Sequence, residues 1–289
     1  MYMKKVWMFA FLWLLSCTGV TFGQDTATTA IRGRYKILAA LSPKRASDHE
    51  AVDTLKFPFD PSFATKVLSE KPYYLQHISV EDFKIPDPPA NSSLQTRMEL
   101  DYLLSLQKNR TPEDVRSSLY ISSVFLTSSD IGRLIGYWTD PVKLPLTDSL
   151  FSNIAQDGNY FLWSLKFKYQ RARPFMLEPK IHDLEESFAA SYPGGHVTYA
   201  YIYAYIYQEL APEFTDFFIS NAYAMAHARE VIGVHYPSDN EAARIFARQL
   251  VNMLFRNEKF QQDFRRVKNE WDLMRKQDSG RLWRSQSNG

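Results

Sequence analysis

Six residues at three places in this chain could do chemistry together. Lys166 and Arg173 stand seven positions apart, with Pro174 next; Tyr192-Pro193-Gly194-Gly195-His196 follows; Arg229, His235 and Asp239 close the series. The two glycines open what reads as a helix, with a histidine in its first turn. Free backbone N–H groups and the positive end of the helix dipole make such a start an anion site. A histidine there can deliver a proton to the bound anion. Further on, Asp239 can hold one ring nitrogen of His235 and free the other as a nucleophile. Three cations, two histidines and one carboxylate are the parts needed to move a phosphoryl group through a phosphohistidine. The cations and amides offset charge on the equatorial oxygens, one histidine attacks, and the other protonates the leaving oxygen.

Those residues need elements that aim them. Positions seven apart on a helix lie nearly on one face, so a helix from about Asp148 to Arg171 would point Lys166 and Arg173 at one site, with Pro174 stopping it. Lys168 and Arg171 then face elsewhere. Helical patterns dominate the rest. Leu94, Met98, Tyr102 and Leu106 recur at every fourth residue, as on the apolar face of an amphipathic helix. Thr111-Pro112-Glu113-Asp114 is a helix start with a capping hydroxyl, proline at the first position and acids in the first turn. The apolar run after His196 reaches Leu210 with tyrosine at alternate positions; its length and flanks suit a buried helix. Ser238-Asp239-Asn240-Glu241 fits a capping box, with Ser238 as cap and Glu241 reaching back. A last helix carries Phe260, Phe264, Val267, Trp271 and Met274 on one face. No strand, internal repeat or low-complexity tract stands out.

The 289 residues are 45% hydrophobic and rich in aromatics, with only 11 glycines, which favours a well-packed helical body. Residues 1–23 read as an export signal: Lys4 and Lys5, an apolar run from Val6 to Leu15, then small residues. Ten apolar residues are too few for a permanent span. Cleavage after Gly23 competes with Leu14-Leu15-Ser16-Cys17, which resembles a bacterial lipobox and would leave a lipid anchor on Cys17. The product is then periplasmic, lipid-anchored or secreted. Cys17 is the only cysteine, so the mature chain holds no disulfide. Lys4 and Lys5 account for the formal charge of +2; the remainder is balanced, without the basic footprint of a nucleic-acid binder. No later run has spanning length. Residues 24–70 read as an N-terminal arm with at most one short helix, 71–276 as the main domain and 277–289 as a polar tail.

The order Lys166-x6-Arg173-Pro174, Pro193-Gly194-Gly195-His196, Arg229-x5-His235-x3-Asp239 resembles the three-part signature of the phosphatidic acid phosphatase type 2 superfamily. Lys71-Pro72-Tyr73-Tyr74-Leu75, the segment Ile85-Pro86-Asp87-Pro88-Pro89 and Asn257-Glu258-Lys259-Phe260-Gln261-Gln262 resemble the bacterial class A non-specific acid phosphatases, a likeness covering roughly residues 71 to 275. It implies an all-α fold, a single helical-bundle domain of the acid phosphatase and vanadium haloperoxidase type. It also implies hydrolysis of a small phosphomonoester without metal or other cofactor. By the same resemblance, Lys166, Arg173 and Arg229 bind phosphate with the backbone of Gly194 and Gly195, His196 is the general acid, His235 the nucleophile, and Asp239 orients His235. A homo-oligomer is compatible with it.

Two positions depart from that pattern: the family usually has serine at Gly194 and at Ala228. A lost hydrogen bond to a charged group is worth about 1.5–3 kcal/mol, and it removes no bond-making residue. A non-catalytic or weakly active phosphate-binding relative is therefore one alternative. A vanadate-dependent haloperoxidase is another, though such chains are usually much longer. Membrane lipid phosphatases of the superfamily carry several spans, which are absent here. His227, two residues before Arg229, points away from it on a helix; His49, His77 and His182 have no partners at metal-ligand spacing.

Overall fold

The computed structural model describes residues 52–58, 60–124 and 126–287, with side chains as far as Ser279. The expected signal segment, Cys17 and His49 lie outside the described residues. The described residues fall within one unit, Leu38–Gly289, and contain ten α-helices and no strand, in line with the all-α expectation. These are α1 (Pro61–Ser69), α2 (Leu94–Asn109), α3 (Pro112–Ser123), α4 (Ser128–Leu134), α5 (Pro145–Tyr169), α6 (Pro174–Leu177), α7 (Gly195–Leu210), α8 (Thr215–Val231), α9 (Pro237–Arg256) and α10 (Glu258–Ser287).

The central element is α7, which packs most extensively on α8 and α9. Val197, Ile202 and Ile206 on it are fully buried, and Tyr201, Tyr205 and Tyr207 nearly so. The alternating tyrosines are thus a helix wrapped in protein, as its length suggested. Helix α10 lays Phe260, Phe264, Val267 and Trp271 into the same core. It does not stop at 277 but runs on to Ser287, and Asp278 accepts from Thr139 N at 3.1 Å.

Caps explain several starts. Thr111 Oγ1 accepts from Asp114 N at 3.2 Å while Asp114 returns the bond to Thr111 N at 2.8 Å, so the predicted start of α3 holds. Helix α5 lacks a side-chain cap of its own; Glu270 of α10 accepts from Leu146 N and Thr147 N at 3.0 and 2.9 Å, satisfying first-turn donors from outside. Midway along α5, buried Asp157 accepts from the amides of Tyr74 and Leu75. That bond seats the Lys71–Leu75 segment. Burial raises this carboxyl to about 6 against the pull of those amides.

Three local expectations are corrected. Helix α5 ends at Tyr169, because Gln170 adopts a left-handed conformation with φ 49°; Pro174 does not stop it but begins α6. Helix α2 forms, yet its Leu94–Met98–Tyr102 stripe is exposed, Leu94 at 72% and Met98 at 62%. The buried side is Thr96, Glu99 and Leu103, because Glu99 is drawn inward by an ion pair with Arg171. Ser238 does not cap α9. Tyr236 precedes the helix, with its amide on Asp239 at 3.0 Å, and Glu241 pairs with Arg244 instead.

Candidate active site

The end of α5, the start of α7 and the α8–α9 turn meet, and they bring every predicted residue except one backbone donor to a common place. Lys166, 4% exposed, donates to Ala190 O and Pro193 O, both at 2.7 Å. Arg173 donates to Ala189 O at 2.9 Å and Ala190 O at 3.4 Å. The two cations therefore share Ala190 O. They converge through the turn at Gln170 rather than along one helix face. Burial pushes the Lys166 ammonium well below its ordinary value, and the neighbouring charges of Arg173 and Arg229 push the same way. A bound anion would relieve such crowding of like charges.

His235 is 2% exposed and lies in the turn between α8 and α9, which Gly233 makes feasible with φ 85°. Its Nδ1 lies 3.1 Å from Asp239 Oδ2 and its Nε2 3.1 Å from Arg173 Nη1. A guanidinium has no lone pair to offer, so Nε2 is the unprotonated nitrogen and Nδ1 donates to the carboxylate. Burial, and then the charge of Arg173, hold the imidazole well below its ordinary value, with Asp239 pulling back. The ring is neutral at physiological pH and presents a lone pair.

Asp239 is fully buried and oversubscribed with donors. Oδ2 accepts from His235, from Tyr236 N and from Ser191 Oγ; Oδ1 accepts from Arg171 Nη1 at 2.7 Å. Burial would raise this carboxyl, but the Arg171 charge and the bonds from His235 and Ser191 hold it far below the usual range. Arg171 in turn reaches Ser238 Oγ at 2.8 Å and Glu99 at 3.3 Å, stacking on Tyr236 at 4.0 Å. The expectation that Arg171 faces elsewhere is thus corrected, whereas Lys168 does lie outside, paired with Glu81. Sequence spacing missed Arg171, Glu99 and Ser191, because the helix break at Gln170 turns Arg171 inward.

His196 sits half-buried in the first turn of α7. Burial first, and then Arg229, Arg173 and Lys166, lower it to about 4, with Glu185 opposing. Gly194 N–H donates to Asp239 O at 3.1 Å, so this amide is committed to the protein and is the predicted backbone donor that the site does not offer. The first intrahelical bond runs from Thr198 N to Gly194 O; Gly195 and the amides after it keep the first-turn donors. Arg229, 2% exposed, grips Glu185 through Nη1 at 2.6 Å and Nη2 at 2.8 Å.

Two braces hold the wall bearing these residues. Tyr192 Oη donates to Pro86 O, tying the proline segment to the loop before His196, and its peptide bond to Pro193 is cis. Lys56 forms an isolated antiparallel bridge with Arg171, with Phe57 N on Gln170 O at 2.7 Å. Of the remaining histidines, His227 is half-exposed beside Glu230 at 3.6 Å, away from the pocket as expected. Among the described residues no group of three or more His, Cys, Asp and Glu is placed to hold a metal, and no helix is long and apolar enough to cross a membrane.

Residues 146–262, which contain the whole constellation from Lys166 to Asp239, match the PAP2 superfamily. Curated relatives carry one name, non-specific acid phosphatase. The protein of Providencia stuartii is 32% identical over 148 residues, 49% of this chain and 59% of its own length. That of Salmonella typhimurium is 24% identical over 75% of this chain and 92% of its own. The match thus spans less than two thirds of the Providencia protein. A transmembrane PAP2-type phosphatidylglycerolphosphate phosphatase from Bacillus subtilis shares 14% identity at a TM-score of 0.39, covering 78% of this chain and 92% of that one. So distant a likeness carries no argument. Within the matched stretch, Gly194 and Ala228 stand at the turn and on α8 respectively, and Ala228 is buried at 1%.

Proposed function

We propose that this chain is a phosphomonoesterase that works through a phosphohistidine on His235, without metal. The observation that carries the reading is the pair of contacts on the His235 ring. Nδ1 is fixed on Asp239 and Nε2 faces the guanidinium of Arg173. A substrate phosphoryl oxygen taking up Arg173 sets phosphorus against the Nε2 lone pair. Nε2 attacks, a P–N bond forms, and the P–O ester bond breaks as His196 gives its proton to the leaving oxygen. Water then attacks the phosphohistidine, losing a proton to His196; the P–N bond breaks and inorganic phosphate leaves. Lys166, Arg173, Arg229 and the amides of the α7 first turn stabilise the equatorial oxygens throughout. Asp239 stabilises the charge that grows on the ring as it is phosphorylated.

The low pKa of His196 fits this cycle. Burial first, and then the charges of Arg229, Arg173 and Lys166, disfavour a further positive charge there. A bound dianion reverses that field and raises His196 into the range where it can donate.

The names of the bacterial relatives support the activity, and the export-like residues 1–23 support a periplasmic, lipid-anchored or secreted location. The substrate is a small phosphomonoester. The test is turnover of p-nitrophenyl phosphate in the presence of EDTA by wild type and by His235→Ala. Loss of turnover in the variant, with acid-labile phosphate trapped on the wild type, is expected. Equal rates would sink the mechanism.

A further inference from the structure

Arg229 does not wait open in the pocket. Both of its terminal nitrogens are taken by Glu185, at 2.6 and 2.8 Å, in the two-pronged grip by which an arginine holds a carboxylate or a phosphate alike. The arginine side chain is 3% exposed and the glutamate 34%, so the acid approaches from the open side while the base lies at the bottom. Burial would raise the Glu185 carboxyl, but the bonds and charge of Arg229, with His196 and Arg173 also acting on it, hold it below its ordinary value. It is an anion among the very groups expected to receive one.

Resting on the phosphatase reading, we infer that Glu185 is a tethered competitor that occupies the Arg229 face of the phosphate pocket and must be displaced by the substrate phosphoryl group. The loop around it is built to leave. Glu186 Oε1 and Ser187 Oγ are buried without a hydrogen-bond partner in the protein, a cost that outward movement into water removes. Phe188 beside them is 69% exposed. The loop has firm attachments at either end, Leu184 N on Ile232 O at 3.0 Å, and Ala189 O and Ala190 O held by Arg173 and Lys166 at 2.9 and 2.7 Å. Displacement therefore needs to move only the stretch between them. The competitor sets how tightly the pocket holds any oxyanion. It also favours a phosphoryl group, with its greater charge and three gripping oxygens, over carboxylate metabolites that offer only what Glu185 already supplies.

Inorganic phosphate is the probe. Its binding to wild type, Glu185→Gln and Glu185→Ala is measured by calorimetry, alongside KM and kcat for p-nitrophenyl phosphate. Removing one charge-assisted contact that competes with the ligand should tighten phosphate binding about tenfold or more in both variants. KM should fall in parallel, with kcat changing less. A damaged fold would weaken binding, so tightening cannot arise from damage. Unchanged or weaker binding in the variants, with an active wild type, overturns the competitor and leaves the phosphatase standing. Failure of the wild type both to bind phosphate and to turn over ester removes both readings at once.

Discussion

The Nε2 atom of His235 lies 3.1 Å from Arg173 Nη1, a neighbour that can donate but never accept. The ring therefore carries its proton on Nδ1, against Asp239, and the arrangement is specified by two residues sixty-odd positions apart in the chain. It works only while Asp239 is an acceptor. Asp239→Asn offers an amide that can donate to Nδ1 and move the proton to Nε2. A drop in kcat on the order of 10²- to 10⁴-fold is expected, by analogy with the wrong-tautomer effect in serine hydrolases. Steady-state kinetics on a variant with unchanged circular dichroism checks it.

Arg171 should matter for stability more than its place outside the recognised pattern suggests. It is the buried counter-charge of both Asp239 and Glu99. Arg171→Met leaves two buried carboxylates without their cation, so unfolding free energy should fall by about 3–5 kcal/mol. Urea denaturation measures this. Activity should fall as well, since the carboxylate that orients His235 loses its anchor.

Acid should draw opposite contributions from His196, which loses stability as pH falls, and from buried Asp157, raised to about 6, which gains it, so the His196 share is read from the effect of phosphate. His196 sits at about 4 against 6.5 ordinarily, so between those values the unfolded chain binds a proton that the folded one refuses. The contribution is fully present above pH 6.5 and is lost as pH falls towards 4, at most about 3 kcal/mol. Asp239, held far below its ordinary range, contributes its loss only at lower pH. Phosphate cancels the repulsion on His196. Thermal melts from pH 4 to 8 should show phosphate raising the midpoint more at pH 5 than at pH 7.5.

Replacing Gly194 by serine should do little for the rate on its own. A Cβ there lies 3.1 Å from Asn240 Oδ1, a buried acceptor with no partner, and the new hydroxyl will turn to it. Gly194→Ser should therefore change kcat/KM by less than about threefold, the hydrogen bond adding about 1 kcal/mol of stability. In the Asn240→Ala background that acceptor is gone and the hydroxyl is free for the pocket. There the same substitution should raise kcat/KM by about tenfold, and the double-mutant cycle reads the coupling.

The sequence carried the chemistry more clearly than the scaffold around it. Lys166, Arg173, His196, Arg229, His235 and Asp239 stand out in the sequence because each is a residue type that the proposed reaction demands, although the Gln170 turn, not a shared helix face, brings Lys166 and Arg173 together. The helices of α3, α7 and α10 were readable from caps and periodicity. What escaped depended on contacts between distant segments. Arg171 was assigned to the outside because a continuous helix was assumed, and one left-handed residue at Gln170 undid that. The Leu94–Met98–Tyr102 stripe was assigned to the inside because apolar residues normally are, yet Glu99 and its partner Arg171 decide which way α2 faces. The amide of Gly194, a phosphate donor by its place in the turn, is held by Asp239 O instead. Glu185 has no periodic or motif signal at all, since only the pocket gives it meaning.

The Arg171 cluster also orders events in time. Its carboxylates, Glu99 and Asp239, lie on opposite sides of it in the chain, 72 and 68 positions away. A ribosome delivers residues N-terminus first, so Arg171 emerges with Glu99 already present and Asp239 still to come. Until α9 arrives, His235 has no carboxylate on its Nδ1 and Arg171 lacks its second counter-charge. If the phosphatase reading holds, the nascent chain is therefore silent until the last third of translation supplies Asp239.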